Sequence, residues 1–225
     1  MPNALAWADV VRGRNIEDPK VDTAPHPFIV AIGASGGEGL NDIEALLTRL
    51  PKPVKAVVMV VLHRPSDRIS ALRDVLGRRS GLPVVVAEQA EAFESGVGYI
   101  GEPDQHLTLG WSGGADLLAG AANRLRNRTI DALFLSLARH AGRRTIGVVL
   151  SGSLDDGSRG LAAIHEAGGI TMVLDPGHKA RGMQQNAIDY NGPVSVIGDA
   201  GRIAGVIGQL LSAPSHALWP SLATE

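Results

Sequence analysis

The sequence predicts an α/β fold, a mostly parallel, doubly wound sheet with helices on both faces and a small β-ribbon. Short apolar runs rich in Val and Ile alternate with segments of helical periodicity. Continuous apolar strands separated by helices indicate a parallel sheet covered on both sides. The 28 glycines among 225 residues supply the tight turns and close backbone approaches of such a fold.

Residues 1–26 hold Pro2, Pro19 and Pro25 and scattered charges, and read as an N-terminal extension. One or two amphipathic turns are expected over 4–11, around Trp7. A strand follows at 28–32 and a helix at 40–50. The β-branched run 56–62 is a second strand, and 70–76 a helix carrying Arg73, with Arg78 and Arg79 just beyond. A third strand is expected at 83–87. Residues 97–100 and 106–109 read as a β-ribbon joined by Gly101, Pro103 and Asp104. The segment 128–141 is a helix with Ile130, Leu133, Phe134 and Leu137 on one face. A fully apolar strand at 145–150 precedes a helix at 159–167, which Gly168-Gly169 stops. A strand at 170–174, a short helix at 183–190, a short strand at 194–197 and a helix at 201–211 complete the order. Residues 213–225 read as a tail. No internal repeat and no linker divide the chain.

Composition narrows the function classes. The net charge of −2 leaves no basic footprint for nucleic acid. The absence of cysteine removes disulfides and thiolate metal sites. No apolar run has the length of a membrane span, and the N-terminus lacks the pattern of a secretion signal. A soluble cytoplasmic protein without membrane insertion is the expectation.

Three loops after apolar strands carry reactive groups: Ser35, His63 and Asp155-Asp156. In a parallel sheet these strand ends point the same way, so the groups can converge. Serine is a poor nucleophile until a base takes its proton. Imidazole can accept that proton near neutral pH and return it. A buried carboxylate fixes the ring's tautomer and stabilises the transient imidazolium. Gly36 and Gly37 follow Ser35 where a helix opens, and backbone N–H groups there favour an oxyanion. Each group also has a plain role. Ser35 can cap the helix after it, and one of Asp155 and Asp156 can cap the helix near Arg159.

Other chemistries fit less well. Gly33, Gly37 and Gly39 have the spacing of a dinucleotide cradle. No Tyr-x-x-x-Lys pair accompanies them, because Tyr99 is followed by Pro103 and Tyr190 by Val194. The second strand ends in Leu62-His63-Arg64, with no acidic residue for a ribose, and no Walker loop is present. A Ser–acid–His order would use Asp156 with His165 or His178. His165 lies in a helix pattern; His178, in a loop, remains open. No His-x-x-x-His or His-Glu-x-x-His motif occurs, so no metal is expected.

Ile32-Gly33-Ala34-Ser35, Val60-Val61-Leu62-His63-Arg64-Pro65, Gly98-Tyr99-Ile100 with Pro103-Asp104-x-His106-Leu107, Ile130-Asp131-x-Leu133-Phe134, Gly147-Val148-Val149-Leu150-Ser151-Gly152 and Asp155-Asp156-Gly157 follow in order. Together they resemble the catalytic domain of the chemotaxis protein-glutamate methylesterases (CheB). The resemblance implies a methylesterase domain over 27–212 and a triad of Ser35, His63 and Asp156. It further implies hydrolysis of glutamate methyl esters on the cytoplasmic helices of chemoreceptors, or on another methylated protein, with protein-glutamine deamidation by the same chemistry. No cofactor is implied. Gly36, Gly37, Arg64, Ser153 and Met183 are the expected oxyanion and substrate-binding positions; His106 is expected to be structural.

The chain departs from the family pattern at several points. Ser35-Gly36-Gly37-Glu38 replaces Ser-Thr-Gly-Gly, Ser151-Gly152-Ser153-Leu154 replaces Thr-Gly-Met-Gly, and Arg181-Gly182-Met183-Gln184 replaces a Phe-Gly-Met-Pro-like stretch. Leu62 and Arg64 stand where Gln and Met are usual. Two alternatives follow: a regulatory binding module of a two-component signalling system, or an esterase with another substrate. The 26 residues before the domain cannot hold a phosphoreceiver domain, so either constitutive activity or control by a separate protein is expected.

Overall fold

The computed structural model describes residues 27–64, 71–119, 128–177, 182–190 and 192–213. The expectations for 1–26, His178, Arg181 and the tail lie outside those residues.

Strands β1 (Phe28–Ser35), β2 (Ala56–His63), β3 (Val84–Val86), β4 (Gly98–Ile100), β7 (Thr145–Val149), β8 (Ile170–Leu174) and β9 (Val196–Gly198) form one sheet in the order β3-β4-β2-β1-β7-β8-β9. Every pairing in it is parallel. Strands β5 (Gln105–Leu109) and β6 (Ala115–Ala119) form a separate antiparallel ribbon. The helices are α1 (Gly36–Arg49), α2 (Leu72–Ser80), α3 (Thr129–His140), α4 (Ser158–Glu166), α5 (Met183–Asp189) and α6 (Ala200–Ser212).

Alternation along each strand sorts the core into two layers. Val30, Ile32, Val58, Val60, Ile146 and Val148 face α1, α2 and α6, where Ile43, Leu46, Leu47, Leu76, Ile203 and Ile207 are buried. Ile29, Ala31, Val57, Met59 and Val61 face α3, α4 and α5, with Ile130, Leu133, Phe134, Leu161 and Met183. Burying one such aliphatic side chain contributes about 1.5–3 kcal/mol, and both layers together hold the sheet. Asp199 caps α6, its side chain accepting from Arg202 N at 2.7 Å.

Two glycines set the interlayer spacing. A Cβ at Gly33 would run into Ile130 of α3, and one at Gly39 would lie 2.7 Å from Ser151 O. Small residues there let α3 close on β1, and α1 close on the loop after β7.

The doubly wound sheet is as expected, but the ribbon is composed differently. Gly98–Ile100 is a strand of the main sheet, parallel to both β2 and β3. The ribbon partner of Gln105–Leu109 is Ala115–Ala119, a segment with no evident strand pattern in its sequence. Helix α1 begins at Gly36, four residues before the expected start, so the glycine run belongs to its first turn.

The chain lays down β1 and β2, moves outward to β3 and β4, then returns to place β7 on the other side of β1. Such a reversal opens a crevice at the carboxyl ends of the strands, the usual place for a site in a parallel sheet.

Candidate active site

Ser35 and His63 are register partners on the adjacent strands β1 and β2. By alternation both project to the face that carries α3, α4 and α5. Ser35 ends its strand in an extended conformation, and its side chain makes no capping bond to α1. Gly36 turns the chain with φ +71, a left-handed conformation that suits glycine. Nothing lies within 4 Å of where a side chain would start at Gly36 or Gly37. The first N–H groups of α1 have no partner within the helix and follow the serine directly, where the helix carries partial positive charge. Glu38 is exposed in that turn, where water screens its carboxylate.

His63 Nε2 lies 2.6 Å from Asp156 Oδ2, and the Asp156 side chain is fully buried. A carboxylate only accepts, so Nε2–H donates and Nδ1 is the ring nitrogen left to take a proton. Asp156 does not cap the helix that follows it. Its Oδ2 accepts from Ile130 N at 2.9 Å and its Oδ1 from Asp131 N at 2.8 Å, both at the start of α3. Three donors and the positive end of α3 compensate the buried charge. Asp155, by contrast, is exposed.

Asp131 completes the arrangement, and nothing in the sequence singled out its role. Its Oδ1 accepts from Gly157 N at 3.0 Å and Gly160 N at 2.8 Å, at the start of α4. Burial pushes its carboxyl above the usual carboxylate range, and the neighbouring Asp156 charge adds to this; the two N–H donors and Arg128 oppose it. The available sequence signal was only an acidic residue in a helix's first turn.

The loop after β7 forms the far wall. Ser35 N donates to Ser151 O at 2.9 Å. A Cβ at Gly152 would lie 2.8 Å from Ser35 Cβ and would also strike the Met183 sulfur. Met183 is fully buried and its N–H donates to Gly152 O at 2.9 Å, so it packs behind this wall. Buried Gln184 donates to Ser151 Oγ at 2.9 Å. Ser153 is exposed on the loop.

Arg64 folds back on the protein. Its guanidinium donates to Gly101 O at 2.6 Å, while its Nε is buried without a hydrogen-bond partner. Burial pulls its proton affinity down, and Glu102 opposes this. His106 is 5% exposed, with Nδ1 buried and unpartnered. Burial pulls its pKa below the usual histidine value; Asp156 opposes the shift and His63 reinforces it. Arg73 pairs with Asp74 within α2, and Arg79 pairs with the largely buried Glu44 of α1. His165 lies in α4.

The arrangement sets a hydroxyl, an imidazole whose far nitrogen is anchored on a buried carboxylate, and the first turn of a helix at one sheet end. That combination suits acyl transfer.

Residues 30–207 match the family model described as CheB methylesterase. A protein-glutamate methylesterase/protein-glutamine glutaminase of Yersinia pestis is 33% identical over 173 residues, covering 75% of this chain and 49% of that protein. A second, from Pseudomonas syringae pv. syringae, is 31% identical over 179 residues, covering 79% of this chain and 53% of that protein. The chain thus spans about half the length of the curated relatives it matches. The crystal structure of the Thermotoga maritima CheB methylesterase catalytic domain superposes with a TM-score of 0.72 at 27% identity, covering 83% of this chain and all of that one.

Proposed function

The chain belongs to the CheB methylesterase family, and from that premise we propose that it hydrolyses glutamate methyl esters on a chemoreceptor or another methylated protein. The observation that carries this reading is the 2.6 Å bond from His63 to buried Asp156, beside a serine in register with that histidine.

Ser35 Oγ attacks the ester carbonyl carbon while His63 Nδ1 takes the hydroxyl proton. The carbonyl becomes an oxyanion facing the first N–H groups of α1, at Gly36 and Gly37. Collapse breaks the bond to the methoxy oxygen, and His63 returns its proton so that methanol leaves. Water then attacks the acyl-serine with His63 again as base, freeing the glutamate carboxylate and Ser35. Asp156 holds the ring and stabilises its cationic form throughout. An amide in place of the ester releases ammonia by the same steps, which makes glutamine deamidation a second activity. The chain's own groups supply every proton transfer.

The test is methanol release from a methylated chemoreceptor by purified protein. Ser35→Ala is expected to abolish release while the protein stays folded. Full activity in that variant refutes the assignment.

A further inference from the structure

Leu154 sits in a conformation that its type disfavours. Its φ is +72, and Ala90 is the only other non-glycine with positive φ among the described residues. In the left-handed region a Cβ crowds the following carbonyl, so residues larger than glycine rarely stay there without compensation. Packing of the leucine side chain supplies none, since the residue is 60% exposed, the most of any large hydrophobic among the described residues.

The strain is held by the surroundings of the site. Asn186 of α5 donates from Nδ2 to Leu154 O at 2.5 Å. Two residues before, Gly152 is pinned between Ser35 and Met183. Two residues after, Asp156 is fixed by His63 and the start of α3. Both ends of the 152–156 loop thus touch the reacting groups, and the leucine at its centre is turned outward. Strain of this kind persists where the surroundings over-determine it, and it concentrates where function uses it.

We propose that Leu154 is a specificity-determining residue, an apolar lip of the cleft that receives an apolar side chain of the substrate protein next to the modified glutamate. The inference rests on the methylesterase reading. Leu154 is two residues from both Gly152 and Asp156, a span of at most roughly 7 Å, so the lip stands beside the ester. Neighbouring side chains on a helical substrate lie about 5–6 Å apart, which places one of them within its reach. Glycine would relieve the backbone strain but remove the contact, so stability and substrate affinity should move in opposite directions.

The experiment compares wild type, Leu154→Gly and Leu154→Met in methanol release from methylated receptor and in thermal unfolding. Ser35→Ala and Ser35→Ala/Leu154→Gly are compared in binding to the receptor's cytoplasmic fragment. Leu154→Gly is expected to raise KM about tenfold with kcat within twofold, to raise Tm, and to weaken binding about tenfold in the serine-free pair. Leu154→Met is expected to keep the wild-type KM. An unchanged KM and affinity in Leu154→Gly overturn the lip, as does a loss confined to kcat. Absence of methanol release by wild type overturns the methylesterase reading instead, and the binding pair then decides the lip on its own.

Discussion

Asp131 and Asp156 cap each other's helices. Asp156 accepts from the backbone of Ile130 and Asp131 at the start of α3, and Asp131 accepts from Gly157 and Gly160 at the start of α4. The carboxylate that holds His63 is therefore positioned by a second buried carboxylate.

Asp131→Asn and Asp131→Ala should separate position from charge. The asparagine oxygen can still accept from both N–H groups, whereas alanine strands two buried donors, at about 1–3 kcal/mol each. Urea unfolding at pH 7 is expected to show Asp131→Ala losing about 2 kcal/mol or more, with kcat reduced at least tenfold as Asp156 shifts. The raised pKa of Asp131 means that the native state binds its proton more tightly than the unfolded chain does. Its stabilising share is present below the unfolded carboxyl pKa and is lost as pH rises through the folded one. Asp131→Asn escapes that loss and should gain on wild type as pH rises above the unfolded carboxyl pKa.

Asp156→Asn keeps the volume but removes the charge facing the imidazolium and allows the wrong ring tautomer. A fall in kcat of roughly 10^3–10^4-fold is expected, with KM nearly unchanged. Steady-state methanol release over a range of receptor concentrations measures both, and a KM effect with intact kcat would assign Asp156 to binding instead.

Gly152→Ala would drive a methyl group against Ser35 Cβ and the Met183 sulfur. Overpacking of this kind costs about 1–3 kcal/mol, and it displaces the serine. The variant should unfold at lower urea concentration and lose most activity. Trimming the sulfur in Gly152→Ala/Met183→Ala should recover activity in part, because the new methyl then has somewhere to go.

His106 predicts a pH dependence of stability. Its folded pKa lies below the unfolded value because burial penalises the imidazolium. Below the unfolded pKa the unfolded chain binds the proton more readily than the native state. Stability is thus fully present above the unfolded histidine pKa and declines as pH falls through it towards the folded one. Unfolding free energies at pH 7.5, 6.5 and 5.5 should drop less steeply in His106→Gln than in wild type. His140, also lowered by burial, contributes a slope of the same sign.

The parallel strands were legible because each is a continuous apolar run, and β8 falls where the periodicity places it, at 170–174. The ribbon was misread for a physical reason. Gly98–Ile100 has three residues beside a turn-rich stretch, too few to show that both faces are buried. Ala115–Ala119 carries Asp116 and small residues at its ends, so its alternation is faint. The start of α1 was hidden by glycines, whose helix propensity is low. Within the site, strand ends point to Ser35 and His63 from sequence alone. The choice of Asp156 over Asp155 rested on resemblance, whereas burial separates the two in the structure. The partnership of Asp131 with Gly157 and Gly160 joins residues 26 and 29 positions apart, beyond the reach of any local pattern.

The absence of a side chain at Gly33 lets Ile130 settle against β1, and the backbone N–H of that same isoleucine reaches Asp156. The thickness of one layer thus governs where the carboxylate bonded to His63 stands. A paralogue could preserve all three polar residues and still be inert because a methyl group in the sheet had lifted the neighbouring helix. Sorting active from silent members of such a family by their reactive residues alone would misclassify it, and the strand glycine belongs in the criterion.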